Sequence, residues 1–147
     1  MIKVIFNPGR YQEVPLSLVR RAVAGAAKRE RALTGEVEIN LIGEKKIKEI
    51  NARYRRVNKV TDVLSFAWKE GTEKKSIQIK DSMLGQIFIC FPQIKRQAQD
   101  YGVTAPEEFV RMLTHGLLHL AGFDHITMAQ ERQMSAQQEE IIKYVLH

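Results

Sequence analysis

A single cysteine, Cys90, is all this chain contains, so no disulfide can form within it, and a reducing compartment is expected. No apolar run approaches the roughly 20 residues of a membrane span. The opening apolar stretch, Met1 to Phe6, is ended by Asn7-Pro8-Gly9 and is too short for a signal-peptide core. These shortages give the expectation of a soluble, cytoplasmic protein without a membrane partner. Internal repeats, low-complexity tracts and linkers are also lacking. A chain of 147 residues is then most simply one domain, 1–147, long enough to bury a real core.

Histidine is scarce too, with four in all, yet three of them fall in the eleven residues His115-Gly116-Leu117-Leu118-His119-Leu120-Ala121-Gly122-Phe123-Asp124-His125. His115 and His119 are four apart, so on a helix both imidazoles leave from one face, one turn above the other. Gly122 supplies a helix stop because glycine takes the left-handed conformation at low cost. The chain can turn there and bring His125 toward the other two. Three neutral imidazoles suit zinc and leave the fourth tetrahedral position open, which is the catalytic arrangement; a structural site is closed by four ligands. Asp124 is a candidate to orient one of the imidazoles from behind. His147, the last residue, reads as a frayed terminus.

Positive charge exceeds negative, with 23 Lys+Arg against 17 Asp+Glu and a net charge of +6. The excess is clustered. Lys45, Lys46, Lys48, Arg53, Arg55, Arg56 and Lys59 lie within fifteen residues, and Arg20, Arg21, Lys28, Arg29 and Arg31 form a second group. Such clusters neutralise phosphates and release counterions, which points to a polyanion such as RNA.

Hydrophobic periodicity predicts a strand over 2–6, a helix over 15–30, and a half-buried strand over 36–42, where polar and apolar residues alternate. A helix is predicted over 44–55 with Ile47, Ile50 and Tyr54 at helical spacing. A loop over 57–60 leads into a short segment, 61–66, that feeds a strand. Residues 70–76 are polar and read as flexible, and 77–79 as a segment pairing near the strand over 84–91. A helix over 92–101 ends at Gly102. The next opens at Thr104 or Ala105, with Pro106 in its first turn and Glu107 and Glu108 complementing the dipole, and runs to about Ala121. A last helix covers 127–146. The expected architecture is α+β: a small mixed sheet of about four strands packed with about five helices.

The histidine run, together with Asn51-Ala-Arg-Tyr-Arg-Arg-Val-Asn-Lys-Val-Thr-Asp-Val-Leu-Ser-Phe66 and Leu84-Gly-Gln-Ile-Phe-Ile-Cys90, resembles the signatures of the YbeY family of bacterial endoribonucleases. The resemblance covers most of the chain from about Glu36 onward. It implies a zinc-dependent, single-strand endoribonuclease acting in ribosomal RNA maturation at the 3′ end of the small-subunit RNA and in ribosome quality control. The small subunit and an assembly GTPase would be its partners. It places one zinc on His115, His119 and His125, makes Arg55 the functional cation of the cleft, and sets Thr61, Asp62 and Ser65 in the wall that binds substrate. Thr61-Asp62 equally suits a turn, and Arg55 a solvated helix end. Three positions depart from the family pattern: Gln86 and Asn58 stand where Asp is usual, and Val60 where Pro is usual.

Two other readings stand beside this one: another zinc hydrolase such as a peptidase, and a non-catalytic assembly factor with structural zinc. In the H-E-x-x-H peptidases the residue after the first histidine is the glutamate base. Here it is Gly116, so that mechanism lacks its base. The base of an RNA hydrolase is left open between a metal-held hydroxide, a phosphate oxygen, Asp62 and Asp124, as is the choice between water and the ribose 2′-hydroxyl as nucleophile.

Overall fold

The computed structural model describes residues 2–68, 83–123 and 127–146. The elements in order are β1 (Ile2–Asn7), α1 (Leu16–Arg29), β2 (Gly35–Ile42), α2 (Glu44–Arg55), β3 (Val63–Ala67), β4 (Met83–Cys90), α3 (Phe91–Tyr101), α4 (Ala105–Leu120) and α5 (Met128–Leu146). The expected α+β architecture is therefore observed. The segments read as flexible at 70–76 and as pairing at 77–79 lie outside the described residues, as do Asp124 and His125.

The sheet order is β1-β2-β4-β3. β1 and β4 both run parallel to β2, while β3 pairs antiparallel with β4. The parallel pairs need crossovers, and α1 supplies the one between β1 and β2. Most of the core lies on one face of the sheet, where Val37, Ile39, Ile87 and Ile89 meet α1, α4 and α5 through Ala22, Val23, Phe109, Leu113, Leu117 and Ile141. A smaller cluster of Ile47, Leu64 and Cys90, with Ile42, Phe66 and Phe88 packed against it, seats α2 on the opposite face.

β3 serves both faces because side chains alternate along a strand. Val63 and Ala67 join the large core under α4, while Leu64 and Phe66 join the cluster under α2. The segment 61–66 resolves into this strand, which begins only at Val63 because Asp62 turns the chain in. Asp62 Oδ1 accepts from the Val63 N–H at 2.7 Å and from the Thr61 hydroxyl at 3.4 Å, and the Asp62 carbonyl accepts from the Cys90 N–H at 2.9 Å.

Two glycines let α4 lie close on the sheet. A Cβ at Gly85 of β4 would stand 2.4 Å from the Phe66 carbonyl oxygen and 2.8 Å from Leu120, so no side chain fits. A Cβ at Gly116 would meet Ile87 at 3.2 Å and Val63 at 3.4 Å. The start of α4 is capped as its sequence predicts, the Thr104 hydroxyl accepting from the Glu107 N–H at 3.2 Å. Glu108, however, is buried. Its carboxylate accepts from Gln97 Nε2 at 2.8 Å and lies 3.7 Å from Arg111 Nη1.

Candidate metal and RNA site

The pressing of Gly116 onto the sheet turns the flanking residues 115 and 119 to the side of α4, where both are half-buried. Their Nε2 atoms converge to 3.2 Å and their ring planes stand at 74°. Two nitrogens each 2.0–2.1 Å from a tetrahedral ion stand roughly 3.3 Å apart, so the pair has the separation of two ligands on one metal. His115 Nδ1 lies 3.3 Å from Gln138 Oε1 of α5. An acceptor there holds the proton on Nδ1 and directs the Nε2 lone pair outward. Gln138 carries no signal in the sequence, since its part depends on how α5 docks. Among the described residues no group of three His, Cys, Asp or Glu side chains is gathered for a metal.

A cleft of about 470 Å³ opens along the same helix, lined by Asp62, Gln97, Tyr101, Glu108, Arg111 and Met112 with Val103. Arg111 and Met112 sit one turn before His115, about 5 Å along the axis. Asp62 is thus in a cleft wall as well as in a turn, and Thr61 is held beside it. Burial opposes the Arg111 charge, but Glu139, Glu108 and Glu107 around it outweigh that and raise its pKa. Arg111 Nη2 reaches Glu139 of α5 at 3.2 Å, tying α4 to α5 beside Gln138.

Arg55 closes α2 and is exposed. Its Nη2 donates to the Ser65 carbonyl at 2.8 Å, and its guanidinium carbon lies 5.0 Å from the Phe66 ring centroid. Ser65, expected in the substrate wall, is therefore Arg55's partner through the backbone, while its side chain shares the face of Val63, which packs on Gly116. β3 is the element that touches both Arg55 and the histidine helix. Gln86, which stands where Asp is usual in the family, lies on the other face of the sheet, directly across from Glu38, to which its amide donates. An aspartate there would oppose the Glu38 carboxylate; glutamine bonds to it.

Cys90 is fully buried, and burial pushes its thiol pKa up, so it is not a nucleophile.

The family described as Endoribonuclease YbeY matches residues 10–145. The chain belongs to the endoribonuclease YbeY family. Curated proteins of that name are similar to it over most of its length. The one from Bacillus cereus strain G9842 is 35% identical, covering 97% of this chain and 94% of its own. The one from Brevibacillus brevis is 38% identical, covering 88% and 86%. A solution structure of a Thermotoga maritima protein superposes with a TM-score of 0.67 at 25% identity, covering 99% of this chain and 89% of that one. Among the described residues no helix is long and apolar enough to cross a membrane.

Proposed function

We propose that this chain is a zinc-dependent endoribonuclease that cleaves single-stranded ribosomal RNA during maturation of the small-subunit 3′ end and in ribosome quality control. The observation that carries the proposal is the convergence of His115 and His119 Nε2 to ligand separation in a chain of an endoribonuclease family. His119, His115 and His125 would hold the ion, and Asp124 would orient an imidazole. Zinc so held would supply a Lewis acid for a phosphoryl oxygen and acidified water for attack.

The residues of this chain supply the rest. Arg55 has five N–H donors, and the bond to Ser65 uses one; the others can fork onto a phosphate and stabilise charge developing there. Its stack on Phe66 and its bond to the Ser65 carbonyl fix the fork in place before substrate arrives. Thr61, Asp62 and Ser65 form the adjoining wall. The exposed lysines of α2 steer the backbone in. The packing of Gly116 argues against a peptidase of the H-E-x-x-H kind, because the position of its base is here inside the core. The whole chain, 1–147, is taken as the working domain, acting in the cytoplasm with the small subunit and an assembly GTPase as partners.

The test is cleavage of a ribosomal RNA fragment by the purified protein, with chelator and with zinc restored. Cleavage that chelation stops and zinc returns is the expected result. Cleavage unaffected by thorough metal removal overturns the zinc assignment, and RNA binding without any cleavage favours the assembly-factor reading.

A further inference from the structure

The last turn of α2 carries an aromatic side chain that the core does not use. Ile47 and Asn51 point inward and are buried, whereas Tyr54 is 60% exposed. Its ring meets Phe66 at 5.5 Å between centroids with the planes at 65°, and Phe66 meets Phe88 at 6.0 Å and 72°. Three rings thus run in series from the half-buried Phe88 to the surface, and Tyr54 is the outer end. The tilt means that Phe66 does not cover Tyr54 face to face. Arg53 lies 5.5 Å from the Tyr54 centroid, as Arg55 does 5.0 Å from that of Phe66.

The charged residues that flank the outer end of this series, Arg53, Arg55, Arg56 and Lys59, are all cations. Among the described residues, none of Arg53, Arg55, Arg56 or Lys59 has a carboxylate within ion-pair distance, although other surface cations such as Lys95 and Arg96 do. Unneutralised cations interleaved with an exposed ring are what an unpaired nucleic-acid strand requires: charge for the phosphates and a π-face for a base. A duplex keeps its base faces stacked inside and cannot use the ring.

The geometry points to Tyr54 as a stacking platform for one unpaired base of the RNA, with Arg53 and Arg55 taking the phosphates on either side. This rests on the ribonuclease reading and adds to it a site that holds a base independently of its hydrogen-bonding edge. The zinc-loaded protein therefore accepts single strands with little sequence preference at this position.

The experiment titrates the zinc-loaded protein into two fluorescent oligomers of equal length, an oligouridine and a ribose-phosphate chain without bases, with the RNA recovered intact at the end. Tyr54→Ala weakens oligouridine binding by roughly ten- to hundredfold, leaves the abasic oligomer unaffected, and leaves the salt dependence of binding unchanged. Tyr54→Phe binds as the wild type does. Tyr54→Leu keeps an apolar contact with Phe66 without a ring and behaves like the alanine variant, which separates stacking from a packing defect. Equal affinity of the alanine variant and wild type for oligouridine overturns the inference, as does equal weakening for both oligomers. Loss in Tyr54→Phe to match Tyr54→Ala would assign the effect to the hydroxyl and overturn it too. If the wild type binds neither oligomer, the ribonuclease reading itself falls.

Discussion

Gly116 of α4 lies against Ile87 of β4 so closely that a Cβ on the glycine would stand 3.2 Å from one methyl of the isoleucine and 3.3 Å from the other. Ile87 is fully buried and held between neighbouring strands, so it has little room to give. His115 and His119 are one residue before and three after this contact. The approach of helix to sheet therefore sets where both imidazoles stand.

Gly116→Glu would restore the H-E-x-x-H spelling of a zinc peptidase, but it puts an unpaired carboxylate into the core. We expect a loss of about 3 kcal/mol or more, enough to unfold much of the protein, and no peptidase activity. Urea denaturation and a peptide-cleavage assay check it. A folded variant that cleaved peptides would show that position 116 faces the site.

His119→Ala removes one of the two converging nitrogens, and stoichiometric zinc should be lost. Wild type should carry about one ion per chain. Gln138→Leu keeps every imidazole but removes the acceptor facing His115 Nδ1, and zinc affinity should fall roughly 10–100-fold. Elemental analysis and competition with a chromogenic chelator measure both. Full zinc in His119→Ala would refute the site.

Arg55→Ala should keep the zinc and the fold, because the side chain is exposed and its bond to Ser65 and its stack on Phe66 contribute on the order of 1 kcal/mol each. Single-turnover cleavage should drop by a factor on the order of 10²–10³. Arg55→Lys should recover only part, since an ammonium offers a point charge without the planar fork. Wild-type rates in the alanine variant would make Arg55 a helix-end charge and nothing more.

Arg111→Met leaves the buried Glu108 without its neighbouring cation and cuts the tie to Glu139 on α5. The expected loss is about 3 kcal/mol. Adding Glu108→Gln should recover most of it, because a neutral amide needs no cation. Equilibrium denaturation of the two variants decides; if the double variant is no better than the single, the ion pair is not the source.

The elements were legible because their signals are local. Alternation over 36–42, helical spacing over 44–55 and the Thr104–Pro106 start each appear within one turn or strand, and the structure places them within a residue or two. The pairing of His115 with His119 is local in the same way. What lay beyond the sequence depends on distant segments meeting. Glu108 looks like an ordinary first-turn acid until Gln97 and Arg111 are seen around it. Gln138 becomes relevant only when α5 docks beside α4. Arg55 finds Ser65 across a loop whose path no periodicity describes. Residues 61–66 look like a loop feeding a strand in the sequence because Asp62, the turn residue, hides where the pairing of β3 begins.

Asn51 fixes that loop. Its backbone carbonyl accepts from the N–H groups of Arg56 and Val57, and its buried side-chain amide donates to the Lys59 carbonyl at 3.0 Å. Arg56 is held there with a φ of +59°, a conformation an arginine adopts only when its surroundings impose it. The backbone of the basic turn is thus ordered during folding, and under the proposed function an arriving strand would meet cations whose backbone entropy has already been surrendered. Loosening this one amide would leave the charges and the rings in place and, under the same proposed function, would slow the molecule only at the moment of encounter, when a wandering turn has to be gathered around the strand.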